Sequence, residues 1–268
     1  KLDFMVAVDY YINETTRRAD VILPPASILS HGHYDFFFTG LSVRNFAAYS
    51  PPVLKKGPNE KDKWEILAHL ALIASGKSSK TPPVVLANQM VDDLAGGIIK
   101  AMGGEEKAGV TGEALVSLLS GERGPERILD FLLRIGPYGD GFGLKPEGIN
   151  FEKLAAQPHG IDLGPLKPWL KHALCTRDNR IHLFPEVFEA ELAVLKNKAE
   201  AGTAQRRQLR LVGRRHLRTN NSWMHNVPSL SRSNRCTLYV HPDDAAVLGL
   251  ADGGRAKLSS DAGTIAVP

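Results

Sequence analysis

The sequence predicts an α/β domain, part of a parallel sheet with added helices, followed by a smaller β-rich domain. Two short apolar segments, residues 4–8 and 21–23, flank a helical stretch, an order that is typical of the edge of a parallel sheet. A helical pattern fills most of residues 84–135, and short strands separated by turn residues follow residue 208. The length of 268 residues agrees with roughly two domains.

The composition is that of an ordinary globular protein, with 43% hydrophobic and 23% charged residues. These values argue against a disordered, collagen-like or coiled-coil chain. The net charge of +4 is too small to indicate nucleic-acid binding by itself. No apolar run reaches the roughly 18 residues of a membrane-spanning helix, so none is expected.

Cysteine usage and the chain start allow two further expectations. Cys175 and Cys236 lie far apart and form no Cys-x-x-Cys pair, so we expect neither a disulfide framework nor a zinc or iron–sulfur site within this chain. A reducing, cytoplasmic location is the default expectation. The chain begins in a predicted strand without an initiator Met, and its last domain has few strands, so we expect a piece of a longer protein.

In the first part of the chain, residues 4–8 and 21–23 are predicted strands, and Pro24-Pro25 ends the second. Asn13 is a plausible cap for a short helix at 13–19. Residues 26–58 are expected to be irregular. They are rich in aromatic side chains, which must pack against another part of the protein. A helix is predicted at 59–74 from its apolar spacing.

Further along, the elements are predicted from helical periodicity, turn residues and short apolar runs. Helices are expected at 84–101, 112–119, 125–135 and 185–199, with a Gly/Pro loop at 136–148. The linker at 201–207 suggests a domain boundary, giving domains 1–200 and 205–268. The expected β elements are short strands at 181–184, 208–212, 236–240, 255–259 and 264–267, and one helical turn is expected at 243–248.

Three short motifs are better explained by local structure than by ligand binding. Gly76-Lys77-Ser78 lacks the first glycine of a phosphate-binding loop and follows a helix, so Gly76 is interpreted as a helix C-cap. The glycines of 139–143 also follow a helix and are interpreted as a loop. His31 and His33 could share a face as metal ligands, but no third ligand is suitably spaced, so they are interpreted as lining a pocket or lying at the surface. No catalytic or metal-ligating residue is assigned.

The strongest candidate site is the segment 209–226, which combines arginines, histidines and asparagines with one tryptophan. We expect a strand with Leu209 and Leu211 facing inward, leading into Gly213, where a ligand can approach the backbone closely. Arginine forks bind phosphate in bidentate fashion, and asparagine amides match the edge of a heterocycle. The segment therefore predicts binding of an anionic ligand with heterocyclic groups.

Two segments, taken in order, resemble the C-terminal half of the molybdopterin oxidoreductases of the dimethyl sulfoxide reductase family. The first, 14–24, is similar to the family signature Thr-(Ala/Thr)-x-x-Ala-Asp-(Val/Ile)-x-Leu-Pro. The second comprises Gly213–Asn226, His241–Ala245 and Gly249–Gly253. It resembles the family's closing dinucleotide-binding domain, which implies a double-psi-barrel-like fold. The sequence departs from the family at His31–Asp35, where a Glu and a Gly-Thr-x-x-Asn pattern are usual.

The resemblance implies a molybdenum or tungsten centre held by two pyranopterin guanine dinucleotides and used for two-electron redox chemistry. It implies a 4Fe-4S cluster and the metal-ligating side chain in an N-terminal half, so this chain alone is not expected to be active. The implied partners are that N-terminal half, a small-molecule substrate and an electron-transfer subunit. Nucleic acid is not an implied partner. The implied cofactor-binding residues are Gly213, Arg214, Arg215, His216, Arg218, Asn220, Asn221, Ser222, Trp223, Met224, His225, Asn226, Thr15 and Asp20.

Two other functions remain open. The basic run 206–218 could belong to a non-catalytic module that binds a nucleotide, RNA or another polyanion, which predicts steeply salt-dependent affinity. A stand-alone double-psi barrel enzyme is the other, but residues 208–268 show no nucleophile or processing site. The inward-facing leucines expected at 209 and 211 favour the molybdopterin hypothesis over a free basic arm.

Overall fold

The computed structural model describes residues 2–121, 124–202, 209–221, 223–225, 227–231 and 236–268. The chain forms two compact units, one up to Arg180 and one from Ile181 onward. Both mix helices with small sheets, and every sheet among the described residues has two strands. The larger parallel sheet, the barrel and the functional domain boundary near residues 201–207 therefore stay predictions.

The first sheet joins β1 (Val6–Ala7) to β2 (Val21–Ile22) in parallel, as the sequence indicates. The connection is a 3₁₀ turn at Thr16–Arg18, shorter than the helix predicted at 13–19. The N-cap of this turn is Thr15 and not the predicted Asn13, but the Asn13 Oδ1 accepts hydrogen bonds from the backbone N–H groups of Thr15 and Thr16, at 3.0 Å each. The predicted strands are real but short.

Residues 26–58 contain three strands, which corrects the expectation that this region is irregular. β3 (His33–Tyr34) pairs antiparallel with β5 (Tyr49–Ser50). β4 (Arg44–Ala47) pairs antiparallel with the distant β6 (Ile161–Pro165), with a register shift between Asn45 and Phe46. A pairing between segments so far apart in sequence leaves no local pattern, so periodicity could not reveal it. Short 3₁₀ turns occur at Ile28–Ser30 and Phe38–Leu41.

The helices of the first unit largely follow the predicted periodicity. α2 (Val84–Ala101) has the predicted bounds, whereas α1 (Lys63–Ala74) starts four residues later than predicted. Gly76 follows α1 with φ of 78°, a left-handed conformation that glycine adopts without strain, which confirms its role at the helix end. The remaining helices are α3 (Glu105–Ala108), α4 (Gly112–Ser117), α5 (Gly124–Ile135), α6 (Phe151–Ala155) and α7 (Leu170–Ala173).

The hydrophobic core of this unit lies where α5 and α6 meet the strands β4 and β5. Its buried members are Ala47, Tyr49, Leu133, Ile149, Phe151 and Leu154. The rings of Tyr49 and Phe151 meet edge to face at 4.9 Å between centroids. Phe131 of α5 is fully buried, and its ring packs against the ring of Phe142 at 5.5 Å between centroids. Aromatic pairs in this geometry add to the free energy gained from burial.

A buried ionic network links α5 to the loop that follows it. Arg134 donates hydrogen bonds to Asp130 and Asp140, both at 2.9 Å, and all three side chains are largely buried. Asp130 also accepts the backbone N–H groups of Ser120 and Phe151, each at 2.8 Å. The charges are thus both paired and hydrogen-bonded, the condition under which ionised groups are tolerated away from water.

The Gly/Pro loop predicted at 136–148 is closely packed against the backbone around it. Two backbone hydrogen bonds connect its ends: the Asp140 N–H donates to the carbonyl of Ile149, and the Ile149 N–H donates to the carbonyl of Tyr138. A Cβ atom at Gly139 would overlap the carbonyl groups of residues 133 and 134, and one at Gly148 would overlap Gly139 itself. These two glycines are therefore required by close backbone approach.

The start of α1 carries a charge cluster whose pH response can be predicted. Asp62 and Glu65 form a capping box, and Lys56 bonds to both carboxylates, at 3.0 and 2.6 Å. Burial by itself raises the pKa of Glu65. Hydrogen bonds from Lys56 and from the Asp62 N–H, together with the positive charges of Lys56 and Lys61, outweigh it and lower the pKa below its ordinary value of 4.5.

A carboxylate whose pKa is depressed by folding stabilises the protein above its unfolded pKa and loses that contribution as pH falls through the folded value. We therefore expect Glu65→Gln to reduce the free energy of unfolding near neutral pH and to cost less as the pH is lowered below about 4. Urea unfolding over this pH range checks the expectation. Glu152→Gln, at an exposed position in the first turn of α6, is the control; an unchanged Glu65→Gln cost would contradict the ion-pair interpretation.

The second unit contains α8 (Val187–Gly202), α9 (Pro228–Ser231), α10 (Pro242–Leu248) and the antiparallel hairpin of β7 (Ala256–Ser260) and β8 (Gly263–Val267). The hairpin and α10 confirm the predicted elements to within a residue or two. His241 caps α10 by accepting the N–H of Asp243, and Gly249 ends it with φ of 65°. No helix among the described residues is long and apolar enough to cross a membrane.

Three predicted strands of this unit are wrong over the part that the structure describes. Residues 181–184 and 209–212 form no ladder, and 236–240 contributes only a backbone bond from Leu238 to Pro268, at 2.8 Å. Each segment has alternating apolar residues, but a strand needs a neighbour with matching register to satisfy its N–H and C=O groups. Periodicity alone cannot supply that neighbour.

Candidate functional site

The candidate site is an open recess of about 680 Å³ in the second unit, a volume within the range of small-molecule sites. We call it the arginine recess. Its lining residues are Arg214, Arg215, His216, Leu217, Thr219, Asn220 and Asn221. Five of these seven, all but Leu217 and Thr219, belong to the binding residues predicted from sequence.

The floor of the arginine recess is a series of tight turns anchored by Thr219. Thr219 is buried, its hydroxyl and N–H both donate to the His216 carbonyl, and its own carbonyl accepts the N–H of Met224 at 3.1 Å. Asn220 and Asn221 adopt left-handed φ values of 40° and 59°. Asparagine tolerates this region better than most residues, which explains a pair of asparagines at this turn.

The two arginines of the recess are each held by a different neighbour. The guanidinium of Arg214 lies 4.9 Å from the centre of the Tyr239 ring, a cation–π arrangement. Arg215 donates to the side-chain carbonyl of Asn221 at 2.8 Å. Both guanidinium groups keep further N–H donors that these contacts do not use, because each carries five. Tyr239 was not predicted as a site residue; its only sequence signal was an aromatic in a predicted strand.

The segment that precedes the recess in the chain, residues 209–213, differs from the prediction. Leu209 and Leu211 are 62% and 73% exposed, so the expectation that they face a core is wrong in this structure. The reason is that residues 209–212 have no strand partner here and so no inner face. Gly213 has open space where a Cβ would lie, and its backbone does not require glycine.

Other predicted binding residues lie outside the lining of the recess. Trp223 is 79% exposed, Met224 is half-buried, and Arg218 and His225 are exposed. Arg218 contributes a backbone N–H that donates to His216 Nδ1 at 3.3 Å. Ser222 and Asn226 fall outside the described residues, so their predicted roles have no structural description.

Thr15 and Asp20, also predicted to bind the cofactor, belong to the first unit, where both have local contacts. Asp20 Oδ2 accepts the backbone N–H of Met5 at 2.8 Å, next to the β1–β2 pair. The Thr15 N–H donates to Asn13. Both side chains are exposed. The side-chain contact explains Asp20 structurally, whereas the Thr15 contact uses only its backbone; the cofactor role of both residues stays a prediction.

The motifs interpreted as local structure have contacts consistent with that interpretation. Asp140 of the glycine loop accepts the N–H of Phe142 and the buried Arg134, so this loop is part of the fold. Among the described residues no group of three or more His, Cys, Asp or Glu side chains is arranged to hold a metal ion. His31 and His33 border a cavity in the first unit, in agreement with the interpretation that they line a pocket or the surface.

Comparison with protein families gives one match, to part of the second unit. Residues 209–268 match the family model described as the Molydopterin dinucleotide binding domain, and the arginine recess lies inside this match. No curated protein and no solved structure matches the chain.

This domain occurs in the C-terminal region of the dimethyl sulfoxide reductase family of molybdopterin oxidoreductases. The match supports a cofactor-binding role in a molybdoenzyme, with a molybdopterin as the cofactor.

Proposed function

We propose that this chain is a cofactor-binding portion of a molybdenum- or tungsten-dependent oxidoreductase and that the arginine recess holds the guanine dinucleotide of its pyranopterin. The observation that carries the assignment is the convergence of Arg214, Arg215, Asn220 and Asn221 on one recess within the matched domain. A dinucleotide offers a pyrophosphate and a heterocycle, and these side chains offer the matching donors and acceptors.

The chemistry of the donor set fits this group. Arg214 and Arg215 present charge-assisted donors for phosphate oxygens, and such hydrogen bonds are stronger than those between neutral groups. The side-chain amides of Asn220 and Asn221 carry both a donor and an acceptor, as the edge of guanine requires. Arg215 already engages the Asn221 carbonyl, so the Asn221 amide is oriented with its NH₂ group available.

When bound, a pyranopterin with its metal supplies two-electron oxidation or reduction of a small substrate. The residues of this chain would bind and orient its nucleotide end; none is assigned to the reaction itself. We further propose, from the family resemblance, two dinucleotides per metal. A 4Fe-4S cluster and the metal ligand would lie in an N-terminal portion, and an electron-transfer subunit would be a partner.

Binding of guanosine diphosphate to the chain tests the recess. We expect Arg214→Ala to weaken binding about tenfold or more, because a hydrogen bond to a charged group contributes about 1.5–3 kcal/mol. Arg210→Ala is the matched control, since it removes the same charge from an exposed position outside the recess lining and should change the affinity less than about twofold. Isothermal titration calorimetry at fixed salt measures both.

The alternative of a polyanion-binding module has a different outcome in the same experiment. It predicts that Arg210→Ala and Arg214→Ala weaken binding equally, that adenosine diphosphate binds as well as guanosine diphosphate, and that an RNA oligonucleotide binds with steep salt dependence. That set of results would overturn the dinucleotide assignment. A guanine preference that depends on Arg214 but not on Arg210 supports it.

A further inference from the structure

Tyr239 contacts the arginine recess through a single lining residue. It is not among the described residues that line the recess, and the segment 209–226 does not contain it. Arg214 does line the recess, and its guanidinium carbon lies over the Tyr239 ring, 4.9 Å from the ring centre. Any effect of this ring on a ligand in the recess is therefore expected to pass through Arg214.

The two arginines of the recess are held in chemically different ways. Arg215 donates an N–H group to the Asn221 side-chain carbonyl at 2.8 Å, so one of its donors is occupied. An aromatic ring attracts a cation electrostatically, without a hydrogen bond. Within the described part of the chain, Arg214 forms neither a side-chain hydrogen bond nor an ion pair. Arg214 therefore keeps its charge and all five N–H donors available for an anion.

A contact that restricts Arg214 before a ligand arrives also favours binding. An arginine side chain has many rotamers, and a phosphate group that immobilises it costs conformational entropy. A ring that already limits these rotamers in the free chain reduces that cost. A carboxylate could restrict the arginine as well, but it would neutralise the charge and occupy the donors that an anionic ligand needs. The aromatic ring restricts the arginine without this competition.

We propose that Tyr239 is a positioning residue of the arginine recess, which holds the Arg214 guanidinium ready for a phosphate group of the dinucleotide. This inference rests on the proposed function. Tyr239 is 74% exposed, so its contact with Arg214 has the strength of an exposed cation–π pair. A pair of that strength changes the affinity for a nucleoside diphosphate about two- to fivefold.

Isothermal titration calorimetry of the full chain with guanosine diphosphate, at fixed salt, tests this role. We expect Tyr239→Leu to weaken binding about two- to fivefold, because leucine has no ring to attract the guanidinium. Tyr239→Phe should restore the affinity to within about 1.5-fold of that of the unmutated chain, since phenylalanine keeps the ring. Tyr10→Leu, at an exposed position in the first unit, is the matched control and should leave the affinity unchanged.

A double-mutant cycle separates positioning of Arg214 from direct contact with the ligand. If Tyr239 acts through Arg214, Tyr239→Leu should weaken binding less than about 1.5-fold when Arg214 is already alanine. If the Tyr239 ring contacts the nucleotide itself, for example by stacking on the base, the loss from Tyr239→Leu should be the same with and without Arg214. That second result would contradict the positioning role.

Nuclear magnetic resonance of the free chain tests the contact without a ligand. Protons over the face of an aromatic ring are shielded by its ring current, so the Hδ and Hε signals of Arg214 should move downfield in Tyr239→Leu and stay in place in Tyr239→Phe. These signals are assigned by their absence in Arg214→Ala. Signals that do not move in Tyr239→Leu would show that the ring does not hold this arginine.

The outcomes distinguish this inference from the proposed function. If the unmutated chain does not bind guanosine diphosphate, the proposed function is overturned and the positioning role with it. If binding depends on Arg214 but Tyr239→Leu leaves the affinity unchanged, the positioning role alone is overturned. A loss in Tyr239→Leu that Tyr239→Phe restores, and that disappears in the Arg214→Ala background, supports both.

Discussion

Replacing Arg134 by methionine is expected to lower the free energy of unfolding of the first unit by about 3–5 kcal/mol, the range for removing one partner of a buried ion pair. Methionine keeps much of the side-chain length but leaves the carboxylates of Asp130 and Asp140 without their shared cation. Both carboxylates are almost fully buried, so water cannot replace the lost bonds without opening the structure.

Urea unfolding followed by Trp64 fluorescence, in a chain whose exposed Trp169 and Trp223 are replaced by phenylalanine, measures the loss in this unit. Arg44→Met is the matched control, because the Arg44–Asp162 pair is bidentate but more than half exposed, and exposed pairs contribute little. The loss of unfolding free energy for Arg134→Lys should lie between those for Arg134→Met and Arg44→Met, since lysine keeps the charge but not the planar guanidinium fork. Equal losses for Arg134→Met and Arg44→Met would show that the network is not a stabilising feature.

Phe131→Ala is expected to have a comparable effect, about 3–5 kcal/mol, through loss of packing and not of charge. Phe131 has no exposed surface, and its ring meets that of Phe142 edge to face. Truncation to alanine removes the ring and leaves a void that rigid neighbours fill only in part. The cost depends on how far α5 and the following loop can collapse.

The same tryptophan reporter measures this change. Phe38→Ala is the control, since Phe38 is 69% exposed and its truncation should alter stability only slightly. Phe131→Leu should cost less than Phe131→Ala, because leucine fills more of the space. If Phe131→Ala and Phe38→Ala proved equally mild, the placement of α5 in the core would be wrong.

Sequence reasoning predicted the elements whose signals are local. The apolar spacing of α2, the terminal glycine after α1 and the turn residues between β7 and β8 each specify structure within a few residues, and each is observed. Hydrogen-bonded partners far along the chain leave no such signal. The pairing of β4 with β6 is the clearest case, because Arg44 and Pro165 are partners in the sheet although more than a hundred residues, including several helices, separate them in sequence.

The buried network shows a second limit. Asp130 and Arg134 are spaced four residues apart, a pattern that on most helices indicates a solvent-exposed ion pair. Their burial depends on the loop that brings in Asp140 and Asn150, which periodicity along α5 cannot show.

For the arginine recess, the composition of segment 209–226 indicated a binding site, and the family resemblance implied Arg214, Arg215, His216 and the two asparagines as binding residues; these five line the recess. Sequence reasoning missed Tyr239, because a contact with an aromatic ring 25 positions later has no signature in the segment itself.

The loop around Gly139 and Gly148 is expected to accept few substitutions at these two glycines. Its glycine- and proline-rich composition is what one finds in tethers that accept insertions and almost any replacement. Here the polypeptide crosses itself so closely that even a methyl group at either glycine would collide with main-chain atoms. Among the loops of the first unit whose composition is typical of variable segments, we expect the sequence of this one to change most slowly during evolution.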